Sequence, residues 1–289
     1  MIAENIRTFL EVCEAKNMSV AAENLFLTQS SVSRQIRSLE KEMGTTLFER
    51  GKGQQSVVLT PSAKRLLPIA RQLLFLEEEA LAIRKEGVTA QFSIAAPESL
   101  ANYRLAAFFS EMASRHNDWD ITLSVLDSRP ICDMVLEGRL DAGIINAEEL
   151  YAQLHATEIF TEPFVVVRKE IPPKQSVTLN ELDPRGEVYY QCGSMFNAWH
   201  NHFWEPWQGK MKVNLAAMAV HCLTSAQDWT MLPVSAAKRL APDSRCIQRL
   251  SENEPHRTVY YIYHKGLPRD RHERILQVQD EILAYLENK

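Results

Sequence analysis

Three short helix patterns follow one another in the first 43 residues, and no other feature of the sequence constrains the fold as strongly. Apolar residues recur at helical spacing from Ile2 onward and predict a first helix that ends near Asn17. Ser19 and Thr28 are residue types that cap helix N-termini, so we expect a second helix to begin at Ser19 and a third at Thr28. The residues expected to face a shared core are Ala21, Ala22 and Leu25 of the second helix and Val32, Ile36 and Leu39 of the third.

A hairpin and a long helix are predicted after these three helices. Gly44 is expected to end the third helix, and the polar turn 51–56 before the β-branched segment 57–59 predicts a short hairpin. Thr60 followed by Pro61 predicts the start of a helix that runs to about Lys85. Its apolar residues are too numerous for one face against water, so we expect it to pair with the same helix of a second copy.

Residues 18–50 carry a dense motif, MSVAAENLFLTQSSVSRQIRSLEKEMGTTLFER. With its paired alanines, its TQSSVSRQI helix opening and its LFER before the hairpin, this segment resembles the helix-turn-helix of LysR-type transcriptional regulators over its full length. The resemblance implies a mixed fold: an N-terminal all-α winged helix-turn-helix with a long linker helix, and a C-terminal α/β two-lobed domain like that of solute-binding proteins. The implied domains are 1–59 (DNA binding), 60–87 (linker and dimerisation helix) and 88–289 (effector binding), with lobe I at 88–163 and 265–289 and lobe II at 164–264.

Polar and basic side chains dominate the outward face of the third helix. Hydroxyl and amide groups can bind phosphates or base edges, and an arginine can bind guanine or a phosphate through two donors. Residues 28–65 hold seven Lys or Arg against three acids, whereas residues 1–27 hold two against four, so positive charge is concentrated at this helix and the hairpin. The residues predicted to contact double-stranded DNA are Thr28, Gln29, Ser30, Ser31, Ser33, Arg34, Arg37, Arg50 and Lys52.

Strand and helix patterns alternate from residue 88 onward and predict βαβ units with a mainly parallel sheet. Two strand crossings, near residues 164–168 and 259–264, would join two lobes, and a last helix would pack on the first lobe. Strands are predicted at 92–96, 121–126, 142–145, 164–167, 188–191, near Val213, 230–232 and 258–263, and helices at 105–112, 131–136, 196–204 and 215–223.

The family resemblance implies that an effector binds between the two lobes. Ligands of open α/β sheets bind where the carboxyl ends of strands meet, which nominates the residues after four of the strands. Thr224 and Ser225 match a family loop that closes the cleft, although the sequence SAQDW at 225–229 replaces the family's glycine-rich turn. The remaining predicted effector residues are Pro97, Glu98, Ser99, Ser128, Arg129, Asn146, Gln191, Cys192, Gly193 and Ser194.

Histidine and cysteine residues invite a metal or redox interpretation, but their spacing argues against it. His200 and His202 are two residues apart and diverge on a helix, and the aromatic residues around them follow the period of a core stripe. Five widely spaced cysteines without a C-x-x-C pair suit neither a disulfide framework nor a thiolate zinc site. We therefore expect no metal and no cofactor. An oxidant sensor with Cys192 as its reactive thiol is an alternative on the same scaffold.

Charge and motif content restrict the class of protein further. A net charge of −5 argues against a protein that coats nucleic acid over its whole surface. No long apolar run and no signal-peptide pattern are found, which predicts a cytoplasmic protein without membrane contact. No nucleophile elbow, phosphate loop or dinucleotide motif occurs, so we expect no catalytic residue. A solute-binding or enzymatic α/β protein is the second alternative.

The sequence and the resemblance together predict four kinds of partner. These are double-stranded DNA, an unidentified small-molecule effector, further copies of the chain in a homodimer or homotetramer, and RNA polymerase as a further candidate.

Overall fold

The computed structural model describes residues 2–50, 57–82, 90–146, 151–241, 243–267 and 269–288. Contacts divide the chain into two compact units, Met1–Val88 with Leu136–Arg139 and Thr89–Val135 with Leu140–Lys289.

The first unit contains four helices and one hairpin among its described residues. Apolar residues of every element meet in one core, in which Phe9, Val32 and Leu47 are completely buried. The hairpin strands are antiparallel, with Phe48 opposite Leu59. The elements are α1 (Ile2–Ala15), α2 (Met18–Asn24), α3 (Gln29–Met43), β1 (Phe48–Arg50), β2 (Val57–Leu59) and α4 (Pro61–Ala82).

Helix ends in this unit confirm three sequence predictions and correct one. Thr28 Oγ1 accepts a hydrogen bond from the Ser31 N–H at the start of α3, and Gly44 ends that helix with a positive φ of 65°. Thr60 Oγ1 accepts from the Ala63 N–H at the start of α4. The predicted cap at Ser19 is wrong, because Asn17 Oδ1 accepts from the N–H groups of Ser19 and Val20 and begins α2 two residues earlier.

The second unit is built on a curled eight-stranded sheet with helices around it. The strand order is β4-β3-β5-β12-β6-β11-β7, with β10 also paired to β6. Two further strands, β8 and β9, form a separate two-stranded sheet. The strands of this unit are β3 (Ala90–Ala96), β4 (Trp119–Val125), β5 (Ala142–Asn146), β6 (Leu154–Arg168), β7 (Ser176–Val177), β8 (Val188–Tyr190), β9 (Met211–Val213), β10 (Trp229–Pro233), β11 (Ile247–Leu250) and β12 (His256–His264). The helices are α5 (Glu98–Tyr103), α6 (Ala106–Arg115), α7 (Ser128–Leu136), α8 (Gly193–Trp204), α9 (Ala216–His221), α10 (Val234–Leu240) and α11 (Arg269–Glu287).

The sheet is mixed, so the expectation of a mainly parallel sheet is wrong. Strands β3, β4 and β5 are parallel, as are β8 and β9, but β12 runs antiparallel to both β5 and β6. Strands β10 and β11 are also antiparallel to β6. Strands β6 and β12 run between the two hydrophobic cores, whereas β10 and β11 pair with β6 inside one of them.

Two separate cores define the lobes of this unit. Lobe I surrounds a core that includes Phe92, Ile94 and Tyr261, against which α11 packs through Ile275, Val278 and Ile282. Lobe II surrounds a core that includes Phe164 and Trp229. Strand β6 enters both, pairing with β12 up to Pro163 and with β10 from Phe164. Strand β12 belongs to the core of lobe I, so the chain has returned from lobe II to lobe I by residue 256. This return is earlier than the predicted lobe boundary at residue 264.

Candidate functional site

The outward face of α3 carries the residues predicted to contact DNA. Val32, Ile36 and Leu39 turn inward and are at most 3% exposed. Among the described residues, the guanidinium groups of Arg34 and Arg37 form no ion pair with a carboxylate. Thr28, Gln29, Ser30, Arg34 and Arg37 are exposed, and Ser31 and Ser33 are half-buried.

Hydrogen bonds fix the start of α3 and its connection to the hairpin. Thr28 Oγ1 lies 2.9 Å from the hydroxyl oxygens of both Ser30 and Ser31, which orders the first turn of the helix. Glu40 Oε1 accepts a hydrogen bond of 2.8 Å from the Leu47 N–H and so ties the end of α3 to the start of the hairpin. The predicted contact Arg50 ends β1 opposite Val57, and Lys52 lies outside the described residues.

The lobe I half of the predicted effector site lies at one edge of the sheet. Because β3, β4 and β5 are parallel, their carboxyl ends bring Pro97, Ser128 and Asn146 to the same edge. Ser128 Oγ accepts a hydrogen bond of 3.1 Å from the Asn146 N–H. Asn146 Oδ1 is buried without a hydrogen-bond partner among the described residues, and Arg129 is exposed beside Ser128.

A buried ion pair joins this edge to lobe II, and sequence reasoning missed it. Arg257 at the start of β12 donates to Glu162 Oε1 of β6 from Nε at 2.9 Å and from Nη2 at 2.6 Å. Its Nη1 donates to Ser99 Oγ at 2.8 Å and contacts Cys192 Sγ at 3.8 Å. Both charged residues are about 5% exposed. The predicted residues Ser99 and Cys192 are therefore brought together by an arginine 65 residues or more away in sequence.

The second carboxylate oxygen of Glu162 is also satisfied. Glu162 Oε2 accepts from the Ser235 N–H at 2.9 Å, at the start of α10. Burial by itself lowers the pKa of Arg257, but the charge and hydrogen bonds of Glu162 together with Cys192 and Tyr190 outweigh it and raise that pKa above its usual value. A buried ion pair whose donors and acceptors are all bonded fixes geometry strongly, although it adds little net stability. In the sequence, this ion pair is indicated only by a charged residue beside an apolar strand pattern. That pattern does not show that Arg257 binds Glu162.

Glu98 makes a second connection between the lobes. Its Oε1 accepts from Asn102 Nδ2 at 3.1 Å, and its Oε2 accepts from the Ala216 N–H of lobe II at 3.4 Å. Burial, followed by the neighbouring Glu98 carboxylate, raises the pKa of Tyr103 to about 12, so this phenol stays protonated and donates to Glu98.

Cys192 is the N-cap residue of α8, beside Arg257, and is 8% exposed. Burial raises the pKa of its thiol, and the Arg257 guanidinium offsets only part of that increase. Reactive cysteines need an accessible thiolate, so this environment argues against Cys192 as an oxidant sensor. Of its predicted neighbours, Gln191 and Ser194 are exposed, and Gly193 takes a φ of 78° that favours glycine.

The loop containing Thr224 and Ser225 is not brought to this site. Lys169, which follows the last residue of β6, donates from Nζ to the Thr224 carbonyl oxygen at 2.9 Å. The loop therefore lies at the far end of the lobe II sheet, whereas Arg257 and Glu162 lie at the end where β6 crosses between lobes. The Asp228 carboxylate accepts hydrogen bonds from the backbone of this loop, from the Thr224 N–H at 2.6 Å and from the Ser225 N–H at 2.9 Å.

The aromatic segment of α8 forms part of the lobe II core, although Phe203, which the helical period also predicts to be buried, is exposed. Phe196 and Trp204 are buried, and His200 is completely buried with its Nε2 2.8 Å from Glu187 Oε1. Glu187 Oε2 also accepts from Trp207 Nε1 at 3.0 Å. His202 is exposed and does not share this environment. The histidine at position 200 is thus held by a buried carboxylate.

No described helix combines the length and the apolar character that crossing a membrane requires.

Comparisons with known proteins cover nearly the whole chain. A family model described as the LysR substrate binding domain matches residues 85–278, and one described as the bacterial regulatory helix-turn-helix protein, lysR family, matches residues 3–64. The HTH-type transcriptional regulator CitR of Bacillus subtilis is 26% identical over 258 residues, which cover 84% of this chain and 86% of CitR.

Solved structures of similar proteins share the fold. A full-length OxyR variant from Pseudomonas aeruginosa superposes with a TM-score of 0.65 at 22% identity, over 98% of this chain and 94% of that one. CbnR, in a structure described as the full-length protein complexed with its target DNA, superposes with a TM-score of 0.61 at 18% identity, over 97% of this chain and 100% of that one.

Proposed function

Because this chain belongs to the LysR family of DNA-binding transcriptional regulators, we propose that α3 reads its operator and that the lobe junction around Arg257 responds to a small-molecule effector. Residues 1–59 are the DNA-binding part, 60–87 the linker and dimerisation helix, and 88–289 the effector-binding part. The protein acts in the cytoplasm as a homodimer or homotetramer, with RNA polymerase as a further partner. It has no catalytic role.

The DNA-binding assignment depends on the composition and exposure of the α3 face. Two arginines without an acidic partner among the described residues, Arg34 and Arg37, project from a helix whose opposite face is locked into the core. A recognition helix needs this arrangement, in which the scaffold is rigid and the donors are free for bases and phosphates. Gln29 adds an amide group that can bind adenine through two hydrogen bonds.

The proposal is tested by electrophoretic mobility shift with the DNA upstream of the protein's own gene. We expect a specific complex whose affinity falls steeply with salt, because cations are released from the phosphates when the protein binds. Arg34→Ala and Arg37→Ala should each weaken binding by about 1–3 kcal/mol. Arg245→Ala, which removes an exposed arginine from lobe II, is the matched control and should leave binding unchanged. No complex at low salt, or equal losses in all three variants, would contradict the proposal.

The effector assignment is supported by the contacts at the lobe junction. Residues from β3, β5, β6, β12 and α8 converge there, and Asn146 Oδ1 is a buried acceptor that lacks a donor among the described residues. A ligand that supplied this hydrogen bond would gain the free energy that an unsatisfied buried group costs. The candidate effector residues at this junction are Pro97, Glu98, Ser99, Ser128, Asn146 and Cys192. Thr224 and Ser225 belong to the other end of lobe II and are left out of the proposed site.

A further inference from the structure

A cavity that shares no lining residue with the proposed effector site is lined by residues of both lobes. It has a volume of about 340 Å³. Lobe I contributes the end of α5, the start of α6 and Tyr285 of α11, and lobe II contributes Arg239 of α10. The full set of described lining residues is Asn102, Tyr103, Arg104, Ala106, Ala107, Arg239 and Tyr285.

Among the residues that the structure describes, two positive charges line this cavity and no carboxylate does. Arg239 is exposed and Arg104 is half-buried, and neither forms an ion pair with another described residue. The Arg104 guanidinium lies over the Phe160 ring at 5.1 Å, which holds the side chain in place without neutralising it. The acid on α5, Glu98, does not line the cavity and is already bound to Asn102 and Ala216.

The backbone of α6 adds to the positive potential in the cavity. Ala106 and Ala107 are the first two residues of this ten-residue helix, and no described side chain caps its N-terminus. The first N–H groups of a helix have no partner within the helix, and the helix dipole favours negative charge beside them. No acidic residue lies in the first turn of α6 to provide that charge. Asn102 and Tyr103, which also line the cavity, already donate to Glu98, so the charged donors of the cavity are Arg104 and Arg239.

We propose that this cavity is a second binding site, for a small dianion carried as a phosphoryl group or as a dicarboxylate. Arg104 and Arg239 each present a planar pair of donors that suits either anion. The first N–H groups of α6 would donate further hydrogen bonds to the bound anion. Because Arg104 belongs to lobe I and Arg239 to lobe II, the bound anion contacts both lobes at once. The site lies outside the proposed effector junction, so it offers a separate input to the same regulatory domain.

Calorimetric titration of the full-length protein at constant ionic strength tests the proposal, with inorganic phosphate and succinate as the two probes. We expect saturable binding of at least one of them, and the tighter of the two identifies the class of ligand. Arg239→Gln should weaken binding by about 10-fold or more, the usual consequence of losing one charge-assisted contact. Lys238→Gln, which removes the neighbouring exposed charge of α10 that does not line the cavity, should leave affinity unchanged.

A second variant separates loss of the site from loss of structure. Ala106→Asp places a carboxylate at the exposed first position of α6, where it stabilises the helix and competes with the anion. It should abolish phosphate and succinate binding without lowering the melting temperature. Absence of saturable binding to the unmodified protein, unchanged binding in Arg239→Gln and Ala106→Asp, or equal weakening in Lys238→Gln would each overturn the proposal. DNA binding of these variants is measured separately, so failure of this site is distinguishable from failure of the DNA-binding function.

Discussion

Single residues decide the conformation of the loop that replaces the family's glycine-rich turn. Asp228 is 4% exposed and accepts hydrogen bonds from the Thr224 and Ser225 N–H groups and from Lys210 Nζ at 2.7 Å. Burial raises the pKa of Asp228, but these hydrogen bonds together lower it well below its ordinary value of 3.8. One carboxylate therefore holds the conformation of this loop, whereas in the family glycine residues allow the turn.

Asp228→Asn should lower the free energy of unfolding by about 1–3 kcal/mol at pH 7, because a weaker neutral acceptor replaces the charged one that donors of three residues share. The pKa of Asp228 is lower in the folded state, so its contribution is present above pH 3.8 and is lost as the pH falls below that value. Urea unfolding at pH 7 and pH 3 measures this, and the difference between the proteins should shrink at pH 3. Asp243→Asn, which changes a partly exposed carboxylate bound to Arg245, should have little effect. Equal losses in both variants would contradict the argument.

Helix α3 depends on how its two ends are terminated. Thr28 caps its N-terminus and Gly44 ends it in the left-handed region. No described atom lies within 4 Å of a Cβ placed at Gly44, so a side chain there would not collide with its surroundings. It would instead strain the backbone, because φ is positive. The hydrogen bond from the Leu47 N–H to Glu40 then directs the chain into the hairpin.

Gly44→Ala should destabilise the DNA-binding unit by about 1–2 kcal/mol, since only glycine adopts a φ of 65° without cost. Gly44→Asn is the informative comparison, because asparagine tolerates this region better and should lose less. Thermal unfolding followed by circular dichroism measures both. A loss for alanine no larger than that for asparagine would show that the left-handed conformation does not determine the cost.

At the scale of the whole molecule, α4 exposes more apolar surface than a lone helix in water normally does. Ile69, Leu73 and Leu76 are 54%, 46% and 41% exposed and follow one another at spacings of four and three residues. This spacing forms one stripe, as in helices that pair with a second copy. Pro68 lies inside the helix, so one backbone hydrogen bond is missing beside the stripe.

Replacing Ile69 and Leu73 together by glutamine should shift the protein toward the monomer, because it removes apolar area from the stripe without adding charge. Lys64→Gln, at an exposed position of the same helix, is the control and should keep the oligomeric state. Light scattering during size-exclusion chromatography measures the mass of each. Unchanged mass in the double variant would mean that α4 does not hold the assembly together.

Elements with a local cause were predicted from the sequence. The caps at Thr28 and Thr60 and the turn at Gly44 depend on residues within four positions of one another, so their patterns could be read directly. The error at α2 is also local: Asn17 and Ser19 are both capping types, and only the backbone shows which one accepts the hydrogen bonds. The mixed sheet was missed because periodicity gives the presence of a strand but not its direction.

The sequence by itself determined the helix-turn-helix, its charged face and the alternation of strands and helices, since these follow from residue type and from spacing along the chain. Only the tertiary structure decided that Arg257 binds Glu162, 95 residues away, and so joins Ser99 to Cys192. It also decided that Thr224 and Ser225 lie apart from the Arg257–Glu162 pair and that Arg104 and Arg239 share a cavity. Contacts between residues distant in sequence depend on how the strands cross between two cores, and no local pattern records that crossing.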